Sequence, residues 1–394
     1  MMSEHSTRLY ERARAMQLQI RDWRRAIHQH PELGFQEQQT AQLVAENLRA
    51  WGLHVQTGVG KTGVVGSLGN GTPAIGIRAD MDALPIQEAN QTAYASQVPG
   101  VTHACGHDAH TAMALGAAKL WSELPNRPAG TLRFLFQPSE ERMDAEGKGG
   151  ARRMIEAGAL DGLSAILALH VNSSLPPGRV MVAPGYATAF GDYYEATILG
   201  AGGHDAFPHH AVDPIYLAAQ IVNAIHGICS RRIDPLQPAL VSVGTFHGGE
   251  SGNIIPHSVK ITGTIRGLKD EVREQLAQEL ERALGIARTL GGDYQLMIKR
   301  GVPSTVNDPQ LVEIFCQSVT EMLGLDALAP VQPGLYAEDF SYMTRQVPGM
   351  FAMLGVQIGD EVRPFHSSTF DLDESALPIG SALLVDTACR LLQR

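Results

Sequence analysis

Leu9, Ala13, Met16, Ile20, Trp23 and Ile27 recur at alternating spacings of four and three, which predicts one helix with a single apolar face. It should end near His30-Pro31, because proline has no amide hydrogen with which to continue it. A second helical stretch covers residues 37–50 and stops at Gly52. Short apolar runs then alternate with helical stretches. His54–Val59, Val64–Leu68, Ala74–Arg78, Leu132–Phe136 and Ala165–His170 read as strands, and residues 110–121 and 148–157 as helices. The interleaving predicts an α/β layer around a mostly parallel sheet.

The pattern changes after Pro184-Gly185. Tyr193–Leu199, Leu240–Phe246, Val259–Ile265 and Tyr294–Ile298 are strand-like, while Pro214–Cys229 and Asp270–Leu290 are helical. That order is βαββαβ, the ferredoxin-like split unit. From about Gly301 the chain returns to helix, strand and helix at 309–323, Met350–Gly355 and Ser375–Leu392. The expected organisation is a first domain of residues 1–185 and 301–394, interrupted by an inserted domain of residues 186–300. No internal repeat, low-complexity tract or long linker is present.

Candidate chemistry collects where predicted strands end. Asp80 and Asp82 follow one strand, Glu140 and Glu141 follow another, His170 ends a third, and His366 lies in the loop after Met350–Gly355. Ligand sites of open α/β sheets lie at that edge. Cys105 and His107 stand one residue apart in His103-Ala104-Cys105-Gly106-His107-Asp108-Ala109-His110. Together these residues offer thiolate, imidazole and carboxylate donors, with one carboxylate to spare. That is the inventory of a catalytic metal site with a group left over to act on water. Glu140-Glu141 by itself is also what a solvated acidic turn looks like. Cys105 with His107 also allows a thiol nucleophile and its base, a reading that leaves Glu140, Glu141 and His366 without roles. His103 and His110 are expected to orient ligands or cap the next helix rather than bind metal. Asp82 could fix the tautomer of a ligating imidazole, whereas Asp80 fits an Asx-stabilised turn equally well. In the inserted domain, His204 follows Gly202-Gly203, and Asn253 and Arg266 could grip a carboxylate.

Composition narrows the field. The net charge is −10 over 394 residues, with no basic stripe, so neither nucleic acid nor an anionic membrane is an expected partner. The apolar share is 44% and the charged share 18%, ordinary for a globular protein with a large core. The N-terminus is polar, no run is expected to reach the length of a membrane span, and four scattered cysteines form no C-x-x-C pair. A reduced, cytoplasmic protein is expected.

The motifs from Arg24-Arg25-Ala26-Ile27-His28-Gln29-His30-Pro31-Glu32-Leu33-Gly34-Phe35 to His366-Ser367-Ser368-Thr369-Phe370-Asp371, with Ala337-Glu338-Asp339-Phe340-Ser341 between them, span nearly the whole chain. In combination the chain resembles the dinuclear-metal amidohydrolase family of hippurate hydrolase, bacterial N-acyl-amino-acid amidohydrolases and plant auxin-conjugate hydrolases. The resemblance implies an aminopeptidase-like catalytic domain that holds two divalent metal ions, manganese or zinc, with cobalt or nickel as substitutes in vitro. It implies Cys105, His107, Glu141, His170 and His366 as ligands, Glu140 as general base and acid, and Asp82 as the carboxylate behind a ligand. His204 matches a histidine that polarises the scissile carbonyl, in relatives often from the partner subunit, which implies a homodimer or a dimer-based oligomer. Asn253 and Arg266 fall in segments that face substrate. Other members of the wider superfamily use His-x-Asp where this chain has Asp80-x-Asp82, and place a bridging Asp near His107. The Cys/His version belongs to the hippurate-hydrolase branch.

The expected activity is hydrolysis of the amide of a small N-acyl amino acid. A dipeptidase or carboxypeptidase with the same centre is the nearest alternative, and a metal-binding protein without turnover is the alternative of another class.

Overall fold

The computed structural model describes residues 4–331 and 334–394, so the first three residues of the polar N-terminal stretch lie outside the described part. By compactness the described residues divide into one unit of residues 4–187, 306–331 and 339–394, and another of residues 188–305 and 334–338.

The first unit opens with α1 (Glu4–Ala15) and α2 (Gln17–Gln29), where periodicity predicts a single helix. The backbone breaks at Met16, whose amide bonds the Ala13 carbonyl three residues back, the tighter 3₁₀ pattern. Leu9, Ala13, Ile20 and Ile27 remain buried across the break, so the apolar stripe carries no trace of it. Next come α3 (Gln38–Ala50), β1 (His54–Val59), β2 (Gly63–Asn70), β3 (Ala74–Asp80), α4 (His107–Ser122), β4 (Gly130–Gln137), α5 (Gly150–Glu156), β5 (Ala165–Asn172), β6 (Val180–Met181) and β7 (Gly185–Tyr186).

The second unit holds β8 (Phe190–Leu199), β9 (Gly203–His204), α6 (Pro214–Arg232), β10 (Ala239–His247), β11 (Ile254–Ile255), β12 (Ser258–Gly267), α7 (Asp270–Leu284), α8 (Ile286–Thr289) and β13 (Asp293–Lys299). Its four-stranded sheet runs β10-β12-β8-β13, antiparallel throughout. Leu217, Ile221 and Ile225 of α6 and Leu276 and Leu280 of α7 share one core with Tyr194 and Ile261 of the sheet. The expected Asp270–Leu290 helix is interrupted at Gly285. The chain then returns to the first unit with β14 (Val306–Asn307), α9 (Pro309–Leu323), α10 (Phe340–Thr344), β15 (Gly349–Gly355) and α11 (Leu377–Leu392).

The sheet of the first unit has the order β1-β2-β4-β3-β5-β15-β6. Its centre, β4-β3-β5-β15, is parallel, and the outer pairings are antiparallel. Leu115 and Trp121 of α4 and Leu383 and Leu384 of α11 cover one face. Met154 of α5 and Phe340 and Met343 of α10 lie on the other. Covered on both faces, β3 and β15 are buried along their whole length, which is why they read as continuous apolar runs. One stretch corrects the sequence reading on spans: Glu374–Leu392 is long and apolar enough to cross a membrane, but 83% of it is buried within the protein. It is the core helix α11 with the turn before it.

Candidate metal centre

Parallel register sets the site. Asp80, the last residue of β3, pairs with Gln137, the last residue of β4, so Asp82 and the Pro138–Glu141 turn emerge side by side. On β5, His170 is in register with Met353 of β15, whose outgoing loop carries His366. Cys105 and His107 arrive from the start of α4 rather than from a strand. Between them Gly106 takes φ 86° and passes so close to β5 that a Cβ would collide with the Val171 side chain.

The hydrogen bonds decide which imidazole nitrogen faces the cluster. His107 Nδ1 lies 2.9 Å from the Asp82 carbonyl and 3.2 Å from its carboxylate, which makes Nδ1 the protonated nitrogen. Its Nε2 is buried and has no hydrogen-bond partner among the described residues. His170 Nδ1 donates to the Val171 carbonyl at 2.7 Å, leaving Nε2 as a lone pair 3.6 Å from Cys105 Sγ. Burial, with His110 nearby, holds His170 well below its usual range, in the neutral form a ligand needs. His366 Nε2 and Glu141 Oε1 lie 2.9 Å apart, yet Glu141 Oε1 has no aligned hydrogen bond. Donor atoms of Cys105, His107 and His170 lie within 4.8 Å of one another, as do those of Cys105, Glu141 and His366 and those of His107, Glu140 and Glu141. Three imidazole nitrogens, one of them without a hydrogen bond, converge with a thiol and a carboxylate oxygen, and form a donor set that fits divalent cations. Cys105, His107 and Glu141 each belong to two of these three groups, so the groups form one continuous cluster.

Asp80, His107 and His110 also converge, but His110 has no nitrogen to offer. Its Nδ1 donates to Asp80 at 2.6 Å and its Nε2 accepts the Val171 amide at 3.0 Å. Asp80 is fully buried and ion-paired with Arg78 at 2.8 Å, so the exposed Asx turn does not apply. His103 is buried with both nitrogens unpartnered, and burial pushes it down to about 3. Burial likewise pushes the Cys105 thiol up to about 12, which disfavours the reading of Cys105 as a nucleophile acting as a bare thiol.

Asp82 does more than its spacing suggests. Besides His107, its two carboxylate oxygens accept the backbone amides of Glu140 and Glu141, each at 3.0 Å. The Glu140 carboxylate in turn accepts the Asp339 amide at 3.2 Å. Asp339 is itself buried against Gln137 and Arg78 at 2.7 and 3.2 Å. The Ala337–Ser341 segment was visible as a motif, but the amide it aims at Glu140 was not.

In the second unit, His204 is 62% exposed on its side chain and pairs through β9 with Ile254, next to Asn253. Arg266 is not their neighbour. Ser258, at the start of β12, opposes Leu199, which leads into the His204 turn, whereas Arg266 opposes Gly191 at the other end of the same strand. The strand rise puts Arg266 roughly 25 Å from Ser258, and its guanidinium donates to the Leu335 carbonyl at 3.0 Å.

A mixed sheet whose edge gathers thiol, imidazole and carboxylate groups that could hold metal ions is the arrangement of an aminopeptidase-like fold with a candidate metal centre. The profile of Peptidase family M20/M25/M40 matches residues 76–390, and the chain belongs to this family. It is 39% identical over 374 residues to thermostable carboxypeptidase 2 of Saccharolobus solfataricus, covering 92% of this chain and 94% of that one. It is 42% identical over 288 residues to the N-acyl-L-amino acid amidohydrolase of Geobacillus stearothermophilus, covering 72% and 77%. Among solved structures, the YxeP protein of Bacillus subtilis, a dinuclear metal binding peptidase, superposes with a TM-score of 0.84 at 32% identity over 96% of this chain and 99% of that one.

Proposed function

We propose that the protein hydrolyses the amide bond of N-acyl amino acids at a two-ion centre held by Cys105, His107, Glu141, His170 and His366. The observation that carries this reading is the convergence of ligand atoms around Cys105, with His107 Nε2 and Glu141 Oε1 lacking hydrogen bonds among the described residues and Glu140 beside them held by a backbone amide. Divalent ions bound there, manganese or zinc, supply Lewis acidity towards the amide carbonyl and acidify a water. Glu140 receives the proton of the attacking water and returns it to the amide nitrogen as the C–N bond breaks. Asp82 keeps His107 in the tautomer that exposes Nε2 and holds both glutamates in place through their amides. His204 stabilises the oxyanion, and Asn253 or Arg266 holds the free carboxylate of the amino-acid half.

Activity of apoenzyme reloaded separately with manganese, zinc and cobalt tests this on benzoyl-, acetyl- and indoleacetyl-amino acids against dipeptides. Preference for the acyl amino acids supports the reading. Preference for peptides supports the carboxypeptidase reading, which the likeness to the Saccharolobus enzyme favours. No turnover with any metal would sink both. Hippuryl amide cleaved as well as hippurate would remove the carboxylate grip.

The second unit supports a two-fold dimer. His204 and Asn253 sit at one end of its sheet and Arg266 at the other, too far apart for one compact site to draw all three from the same unit. They can serve one site together if they come from different subunits. The edge strand β10 exposes Leu240 and Phe246 beside an unpaired backbone edge, a surface suited to a second copy.

A further inference from the structure

We propose that Glu37 is a positioning residue for Glu140 and Glu141, acting through the backbone of Ser139. The inference rests on the roles proposed above for those two glutamates.

Glu37 is fully buried immediately before α3, at a position whose side chain ordinarily caps its own helix. Here the first-turn amides of Gln39 and Thr40 bond instead to the carboxylate of Glu32, at 3.0 and 2.9 Å. Glu37 is thereby released to reach across the unit. One of its oxygens accepts the Ser139 amide at 2.8 Å and the other accepts the Thr62 hydroxyl. Ser139 has φ 46°, a left-handed conformation that a residue with a Cβ adopts only when its surroundings impose it. Its hydroxyl donates to the Arg142 carbonyl at 2.9 Å and its carbonyl accepts the Gly150 amide at 2.8 Å. Gly34 passes so close that a Cβ there would collide with Ser139 Oγ.

Three successive amides, of Ser139, Glu140 and Glu141, therefore all point at buried carboxylates. Glu37 takes the first, and Asp82 takes the other two. Because the left-handed residue stands directly before the pair, a small change in its ψ swings both glutamates. Burial, reinforced by the charge of Asp82, pushes Glu37 up to about 7, and no cation is paired with it among the described residues. A carboxylate kept at such a position without a counter-charge is held there by what it reaches.

Four variants separate reach from charge. Glu37→Asp keeps the charge but withdraws the acceptor by one methylene, and Glu37→Ala removes it. Glu37→Gln keeps an acceptor for Ser139 and a donor for Thr62. Thr62→Val removes the other partner and leaves the Ser139 bond. Glu37→Asp and Glu37→Ala should each lower kcat at least tenfold with KM within about threefold, and weaken manganese binding to the apoenzyme in a metal titration. Glu37→Gln should stay within about threefold of wild type in both. Thr62→Val should lose melting temperature without losing kcat.

Wild-type kcat in Glu37→Asp would overturn the inference. So would a folded Glu37→Gln as impaired as Glu37→Asp, or a Thr62→Val whose kcat falls in step with stability. If Glu37→Ala does not fold, the other three still decide. Glu140→Gln run alongside keeps the two readings apart. An active Glu140→Gln removes the proposed roles themselves, whereas a dead Glu140→Gln beside a fully active Glu37→Asp removes only this inference.

Discussion

At the scale of single residues, chemistry and stability pull in different directions. Glu140→Gln should retain both metals and the fold yet lose about 10²–10⁴-fold in kcat, because an amide cannot accept the proton. Cys105→Ala and His366→Ala should instead lose metal, which elemental analysis would read directly. Full occupancy in both would contradict the ligand set. Glu37 gives a stability prediction with a definite sign. Burial raises its folded pKa from the ordinary carboxylate range to about 7. The unfolded chain therefore releases the proton first as pH rises, and stability is lost between about pH 4.5 and 7. Glu37→Gln mimics the neutral form and should be more stable than wild type at pH 8, by roughly 3 kcal/mol at most. The difference should vanish below about pH 4. Asp82 is the charged neighbour that reinforces the shift, so equal melting curves at both pH values would refute it. The candidate donors that the structure brings together were legible in the sequence, because metal chemistry needs particular side chains. The supports around them were hidden. Asp80 with His110 and Glu37 with Ser139 are partners 30 and 102 positions apart, and nothing local to either residue announces the other.

At the scale of elements, β3, β5 and β15 of the first unit were legible because burial on both faces leaves an apolar run with clear ends, whereas the two-residue strands β6, β7 and β14 are too short to leave a pattern. The breaks at Met16 and Gly285 were not, since a 3₁₀ turn or a lone glycine leaves the apolar stripe nearly in phase. The start of α4 also differs from expectation. The helix begins at His107 and not at residue 110, so a proposed ligand occupies its first turn. That placement depends on Gly106. Gly106→Ala should cost about 1–2 kcal/mol for the left-handed backbone alone, and more for the collision with Val171. It should also lower metal occupancy, since Cys105 and His107 flank it. Unchanged melting and full occupancy would show that the turn tolerates a side chain.

At the scale of the molecule, the dimer reading makes a quantitative prediction. His204→Ala and Glu140→Gln should each be nearly inactive as pure proteins. Random re-association of equal amounts makes half the dimers mixed, each with one complete site, so about a quarter of wild-type activity should return. A mixture that stays inactive after confirmed subunit exchange would place His204 in its own chain's site or outside catalysis. The βαββαβ order was readable because its strand and helix periods alternate cleanly. The assignment of residues 334–338 to the second unit was not, because they return to it from a distant part of the chain.

The way the chain enters and leaves the second unit has a further consequence. Tyr186 pairs with Val306 in the short β7–β14 ladder, and the Thr188 and Thr305 hydroxyls hydrogen-bond at 2.8 Å. The two ends of residues 188–305 thus lie side by side, as the ends of a hairpin turn do, while residues 334–338 join the second unit separately. Closing the gap between those ends costs the host the same whatever lies beyond it. A change of length within residues 188–305 can therefore be absorbed without moving the β7–β14 ladder. If the second unit holds the substrate as proposed, a chimera carrying another relative's residues in place of 188–305 should shift in substrate preference while its metal content, read by elemental analysis, stays the same.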